Sequence, residues 1–195
     1  QGLACDKCYQ EFKKEPSKPY QAASLGMEEI IPPLFRQTDR ARLEKETSSE
    51  QIYYALQWEL KAKGKGLVLV GDTRTGKTRT LCLLLGKLIR EGHQVRAFFH
   101  GSFSDGLVEV MRSERSYRAW KRKVTQASLL VIDDLFSEKL TERCEASLFE
   151  ILDERICNYR PTLITTQVTK REGLKRFHSL KRAEAFYARI NEFFQ

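Results

Sequence analysis

Gly71-Asp72-Thr73-Arg74-Thr75-Gly76-Lys77-Thr78 meets the G-x-x-x-x-G-K-[ST] pattern without a mismatch. Each residue type has a chemical reason. Successive backbone N–H groups in a tight loop converge on the oxygens of a polyphosphate. Gly71 and Gly76 allow dihedrals and close approaches that a Cβ would block. A helix opening at Lys77 turns its positive dipole end toward the same anion. The Lys77 ammonium reaches the β/γ oxygens, and the Thr78 hydroxyl ligates Mg²⁺. Arg79 follows directly and completes the set of nucleotide-binding candidates, Gly71 through Arg79.

A second cluster completes the chemistry. Leu129-Leu130-Val131-Ile132 is an apolar run that ends in Asp133-Asp134. The run reads as a buried strand, and ligands of open α/β sheets bind at the carboxyl ends of strands. Asp133 there is placed to hold Mg²⁺, and Asp134 to orient or deprotonate an attacking water. Two adjacent carboxylates beside phosphates repel each other unless a cation sits with them, so the pair implies a metal. Gln167 ends another apolar run, Thr162 to Thr166, and is a candidate to touch the γ-phosphate or the water. A helix cap for either aspartate and a plain loop start for Gln167 are the bland alternatives.

These residues need a sheet to position them. Leu67-Val68-Leu69-Val70 precedes the glycine loop, and Leu81, Leu84, Leu85 and Leu88 after it share one helical face. Val95 to Phe99, Leu129 to Ile132 and Thr162 to Thr166 supply the other strands. Helices are expected over Glu50 to Lys61, over Phe103 to Val124, over Glu142 to Cys157, and through the basic C-terminal stretch. Strands alternating with helices define a mostly parallel sheet with helices on both faces, an α/β P-loop NTPase. Residues 1–27 read as a linker or the remnant of an upstream module, since the chain opens at Gln1 and is polar up to the Ile31-Pro32-Pro33-Leu34-Phe35 element. Residues 28–195 then form the core.

A net charge of +8 favours a polyanionic partner, nucleic acid first among them. Arg112, Arg115, Arg118 and Arg122 share one face of the expected Phe103–Val124 helix, apart from its apolar face. Guanidinium groups spaced in this way suit a phosphate backbone. No apolar run is long enough to span a bilayer and no secretory pattern opens the chain, so a cytoplasmic protein is expected. Cys82, Cys144 and Cys157 read as reduced thiols. Cys5 and Cys8 form a C-x-x-C pair, half of a Zn²⁺ site whose other ligands would have to lie upstream of Gln1. An unliganded terminus is the alternative.

Together these segments resemble the AAA+ ATPases of the bacterial helicase-loader and insertion-sequence-helper group (DnaC/IstB-like). Ile31 to Arg36 is similar to the proline element before that group's core. Gly71 to Thr78 matches its phosphate loop, and Leu130 to Leu135 its metal-binding strand. Pro161 to Gln167 is similar to the segment ending in the "sensor 1" residue. Gln167 stands where relatives usually carry Asn. Relatives also continue past the equivalent of Gln195 into a fifth strand, so the lid and last strand are expected to be short or missing. The resemblance implies ATP hydrolysis coupled to homo-oligomer assembly on single-stranded DNA, with a replicative helicase or a transposase as partner. It implies an arginine finger at Arg189, in Tyr187-Ala188-Arg189-Ile190, and DNA contact within His100 to Val124. A nucleotide-gated adaptor without turnover and a small nucleotide kinase are the rivals outside that group.

Overall fold

The computed structural model describes residues 26–39, 41, 43, 50–60, 65–99 and 102–194; the expected linker and the Cys5/Cys8 pair lie outside the described residues. Among the described residues four parallel strands form the sheet: β1 (Leu67–Val70), β2 (Val95–Phe98), β3 (Leu129–Ile132) and β4 (Thr162–Thr166). Their spatial order is β1-β4-β3-β2. This puts β4 between the strand that leads into the glycine loop and the strand that ends in the aspartate pair. The register aligns Val70 with Thr166, and Ile132 with both Ile164 and Phe98.

Burial explains why these segments became strands. Every residue of β3 and β4 is buried. Successive side chains of a strand point to opposite faces. Leu129, Val131 and Leu163 enter one apolar cluster with Leu81, Leu85 and Leu88. Leu130, Ile132 and Ile164 enter the other, with Leu148, Ile151 and Phe186. Both faces of the central strands are therefore covered, as a continuous apolar run requires.

The helices described in full are α1 (Met27–Ile30), α2 (Glu50–Leu56), α3 (Lys77–Arg90), α4 (Ser102–Val110), α5 (Glu114–Gln126), α6 (Glu142–Cys157), α7 (Lys170–Leu174) and α8 (Leu180–Phe193). A 3-10 turn covers Pro33–Phe35. Two expectations need correction. The helix expected to reach Lys61 ends at Leu56. Its exit tightens through the Gln57 N–H to Tyr54 and Trp58 N–H to Ala55 bonds, and the Trp58 indole donates to the Lys65 carbonyl at 2.9 Å. The single helix expected over Phe103–Val124 is two helices. Ser113, in extended conformation, caps α5 by accepting from the Ser116 N–H. Arg112 thus lies in the turn before α5, while Arg115, Arg118 and Arg122 lie on it.

Arg155 fastens this half of the fold. Its guanidinium is wholly buried. Nε donates to Thr162 Oγ1 at 3.0 Å, and Nη2 to the Pro161 carbonyl at 2.6 Å. Nη1 donates to the carbonyls of Val124, Thr125 and Ala127 at 2.8, 3.2 and 2.9 Å. The exit of α5 and the entry to β4 are both tied to α6 in this way. Burial, with Arg160 nearby, pushes the group's pKa down to about 9, so it stays charged at neutral pH. Arg155→Met keeps much of the volume but strands several buried carbonyls, each worth about 1–3 kcal/mol when unsatisfied. We expect a stability loss of about 2–4 kcal/mol, read as a lower urea midpoint at unchanged m-value.

Candidate nucleotide site

The glycine loop joins β1 to α3 at the carboxyl end of the sheet. Gly76 sits at φ 91° as the residue before α3, a conformation that L side chains rarely adopt. Its carbonyl accepts from the Thr80 N–H at 2.9 Å and from Thr80 Oγ1 at 3.0 Å, which starts the helix. No acidic side chain occupies the first turn of α3. Its dipole is left uncompensated, as an anion site requires.

Lys77 Nζ reaches back over the loop, to the carbonyls of Gly71 and Asp72 at 2.7 Å each and to Thr75 Oγ1 at 3.3 Å. Burial pushes its pKa below the usual lysine value, while the charges of Asp134, Asp133 and Asp72 work in the opposite sense. Thr73 through Arg79 line a cleft of about 770 Å³ together with Asp133, Asp134, Thr165 and Gln167. Leu34, Phe35 and Leu43 form its apolar wall. The Arg79 guanidinium lies 5.6 Å from the centre of the Phe35 ring. Phosphate-binding and apolar surfaces therefore meet in one cavity, large enough for a nucleotide.

The aspartate pair is built from three strands. The Asp133 N–H donates to the Phe98 carbonyl at 2.8 Å, and the Leu135 N–H to the Thr165 carbonyl at 2.8 Å. Thr78 Oγ1 donates to the Asp133 carboxylate at 3.0 and 3.1 Å. The two residues expected to share Mg²⁺ are thus side by side across the loop and β3. A hydroxyl and a carboxylate are hard oxygen donors and fit Mg²⁺, which commonly takes one or two carboxylates plus substrate phosphates. Among the described residues no cluster of three or more His, Cys, Asp or Glu side chains could cage a metal alone. Asp134 has φ 58°, and its carboxylate accepts from Gln167 Nε2 at 2.9 Å. Gln167 Oε1 in turn accepts from Thr73 Oγ1 at 2.7 Å. A chain of hydrogen bonds so runs from the phosphate loop through Gln167 to Asp134.

Sequence reasoning missed Thr165. It is buried at 1% exposure, donates from Oγ1 to Asp133 Oδ1 at 2.7 Å, and accepts from the Asp134 N–H at 2.8 Å. One hydroxyl fixes both aspartates. Its only signal was the Thr165-Thr166 pair inside a buried strand. Thr165→Val preserves shape and removes both bonds. Such supporting contacts are worth about 10–100-fold in metal affinity. The concentration of Mg²⁺ giving half-maximal nucleotide turnover should rise by that factor, while ATP binding measured without Mg²⁺ stays near the native value.

Other candidates lie outside the cleft. Arg112, Arg115, Arg118 and Arg122 are all exposed, and Arg118 pairs with Glu114. Tyr117 Oη lies 3.2 Å from Ser147 Oγ, and Trp120 packs with Phe98 and Phe103 at 5.9 and 5.8 Å, so both rings face the interior. Arg189 is on α8. It forms a bidentate pair with Asp153 of α6 and stacks over Phe149 at 4.5 Å.

A parallel sheet of this order, with a glycine loop after β1 and an aspartate pair after β3, defines a P-loop nucleotide-binding domain of the AAA+ kind. Residues 34–192 match the IstB-like ATP binding protein family, and the chain belongs to it. The fold is similar to the crystal structure of the DnaC helicase loader, with TM-score 0.59 and 22% identity over 87% of this chain and 93% of that one. It is similar to the crystal structure of DnaI, with TM-score 0.65 and 16% identity over 85% and 92%. It is also similar to AMPPCP-bound DnaA from Aquifex aeolicus, with TM-score 0.60 and 17% identity over 87% and 49%. The chain spans about half the length of the two AMPPCP-bound DnaA structures it matches. No curated protein matches it at a significant level. No described helix is long and apolar enough to cross a membrane.

Proposed function

We propose that residues 28–195 form a Mg²⁺-dependent ATPase core that couples ATP hydrolysis to assembly on single-stranded DNA, acting in the cytoplasm as a replicative-helicase loader. The observation that carries the hydrolytic reading is the convergence of two polar systems on one cleft. Thr78 and Asp133 lie 3.0 Å apart where a metal would sit. Thr73, Gln167 and Asp134 form a continuous hydrogen-bonded chain beside them. Thr78 and Asp133 would hold Mg²⁺, which supplies charge neutralisation at the phosphates. Lys77 binds the β/γ oxygens. Asp134, oriented by Gln167, accepts a proton from the attacking water. Leu34, Phe35 and Leu43 give the base an apolar wall and exclude water from that side.

Similarity to the DnaC helicase loader, over 87% of this chain and 93% of that one, supports the loader role. Net positive charge and the exposed Arg112, Arg115, Arg118 and Arg122 support DNA as the substrate of assembly. Arg189 serves a neighbouring copy as arginine finger once Asp153 releases it. Membership of the IstB-like family favours one second reading, a transposition helper, which differs only in its partner. Affinity capture with a replicative helicase and with a transposase separates the two.

The test of the core proposal is phosphate release from ATP-Mg²⁺ with and without single-stranded DNA, together with solution mass. We expect DNA-stimulated release, and a higher mass when an ATP analogue and DNA are both present. Tight ATP binding with no phosphate release under any of these conditions would make the protein a nucleotide-gated adaptor.

A further inference from the structure

Lys170 through Arg182 carries three Lys-Arg pairs, Lys170-Arg171, Lys175-Arg176 and Lys181-Arg182, against the one carboxylate of Glu172, with Glu184 and Glu192 following further along α8. Glu172 lies in the field of Lys175 and Arg176 but forms no ion pair with either. It closes a capping box with Thr169, accepting from the Thr169 N–H at 2.9 Å and from its Oγ1 at 2.8 Å. Arg182 pairs with Glu145, which is buried and also accepts from the His178 N–H. Lys170 stands 5.9 Å from the centre of the Tyr187 ring. No ion pair among the described residues holds Arg171, Lys175, Arg176 or Lys181, and Arg171, Lys175 and Lys181 are exposed. On α5, Arg118 is paired with Glu114 and Lys121 with Glu150, while Arg115, Arg122 and Lys123 are exposed and in no ion pair among the described residues. Uncompensated positive surface therefore lies on α7–α8 as well as on α5.

The place of the α7–α8 surface in the fold matters as much as its charge. Gln167, which touches both Thr73 and Asp134, lies three residues before Lys170. The Arg176 carbonyl accepts from the Leu140 N–H, on the loop that leaves the aspartate pair. The surface is thus attached at two points to the segment carrying Asp134. Lysine is depleted in protein–protein interfaces, which need aromatic or arginine anchors in apolar pockets. Among the described residues of α7 and α8 the large exposed apolar side chains are Leu180 and Phe193, at opposite ends of α8. Interfaces with nucleic acid are polar and strongly cationic.

We propose that the α7–α8 surface binds the phosphate backbone of single-stranded nucleic acid, in addition to the α5 face. This rests on the DNA-binding reading above and adds a second contact, close to the hydrolytic residues. The Lys-Arg pairs supply point charges and forked donors without reading sequence. Binding at this surface bears on Asp134 through Gln167 and the Leu140–Arg176 bond.

The experiment measures the anisotropy of a labelled oligothymidylate across a salt series. It compares native protein with the Arg171→Gln/Lys175→Gln/Lys181→Gln variant and, separately, the Arg115→Gln/Arg118→Gln variant. Binding of a fluorescent ATP analogue certifies that each variant is folded. Each phosphate contact on a single strand contributes about 0.7 to the slope of log K against log salt. The α7–α8 variant should lose about 2 units of slope, and polyglutamate at equal charge should fail to displace the oligonucleotide. An unchanged slope in that variant overturns the inference, and if the α5 variant is weakened in the same series the DNA-binding reading survives without it. Displacement by polyglutamate as effective as by unlabelled oligothymidylate also overturns it, marking the surface as a dock for an acidic protein. Failure of the native protein to bind the oligonucleotide removes both readings together.

Discussion

Lys77→Ala should weaken binding of ATP-Mg²⁺ by at least about a hundredfold, measured as heat of association by titration calorimetry. The magnitude follows from position. Unit charges about 4 Å apart attract by about 4 kcal/mol at the effective dielectric of a site near the surface. Solvent exposure and the loss of the ammonium's own hydrogen bonds reduce this to roughly 3 kcal/mol, still two orders of magnitude in affinity. The ammonium now bonds to the Gly71 and Asp72 carbonyls, inside the loop that the phosphates must enter. Exchanging two neutral acceptors for anionic oxygens strengthens those bonds. The same exchange opposes the burial that pushes the Lys77 pKa down, so nucleotide binding should stabilise its charged form. Lys77→Arg should not restore binding, because a planar fork cannot occupy the position of a compact ammonium. Native-like affinity in the alanine variant would remove the site from the glycine loop.

How much of this was legible in the sequence depended on the range of the interaction. The glycine loop is local, and its residues fell where the motif placed them. The limits of β3, β4 and α6 were readable because apolar runs and periodic faces stop sharply there. The α4–α5 break was not. Val110 and Tyr117 are seven residues apart, so the apolar repeat resumes in phase after its gap at Glu114 and reads as one helix. That gap and Ser113, the cap that starts α5, were the local marks of the boundary. Thr165 was invisible as a site residue, because its role exists only where β4 lies beside β3. The Arg189–Asp153 pair and the buried Arg155 likewise join distant segments, and neither composition nor spacing encodes such a meeting.

The last prediction bears on chemistry rather than binding. Asp134→Asn should leave ATP affinity within a few-fold of native and reduce phosphate release by about 10²–10⁴-fold, the usual contribution of a positioned general base. Asparagine has nearly the shape of aspartate. Its amide oxygen can still accept from Gln167 Nε2, and its backbone N–H can still donate to Thr165 Oγ1. The geometry of Asp133 and the metal position therefore survives. What disappears is the ability to take a proton from water, together with one negative charge near Lys77. Losing that charge relieves repulsion toward the phosphates, so binding should if anything tighten. Such a split separates this assignment from a structural role for Asp134, since a misfolded loop would lose binding and turnover together. Gln167→Ala refines the test. It cuts the chain between Thr73 and Asp134 but leaves the base in place, so turnover should fall by less than in Asp134→Asn. Equal losses would mean that the orientation set by Gln167, rather than the basicity of Asp134, limits the reaction.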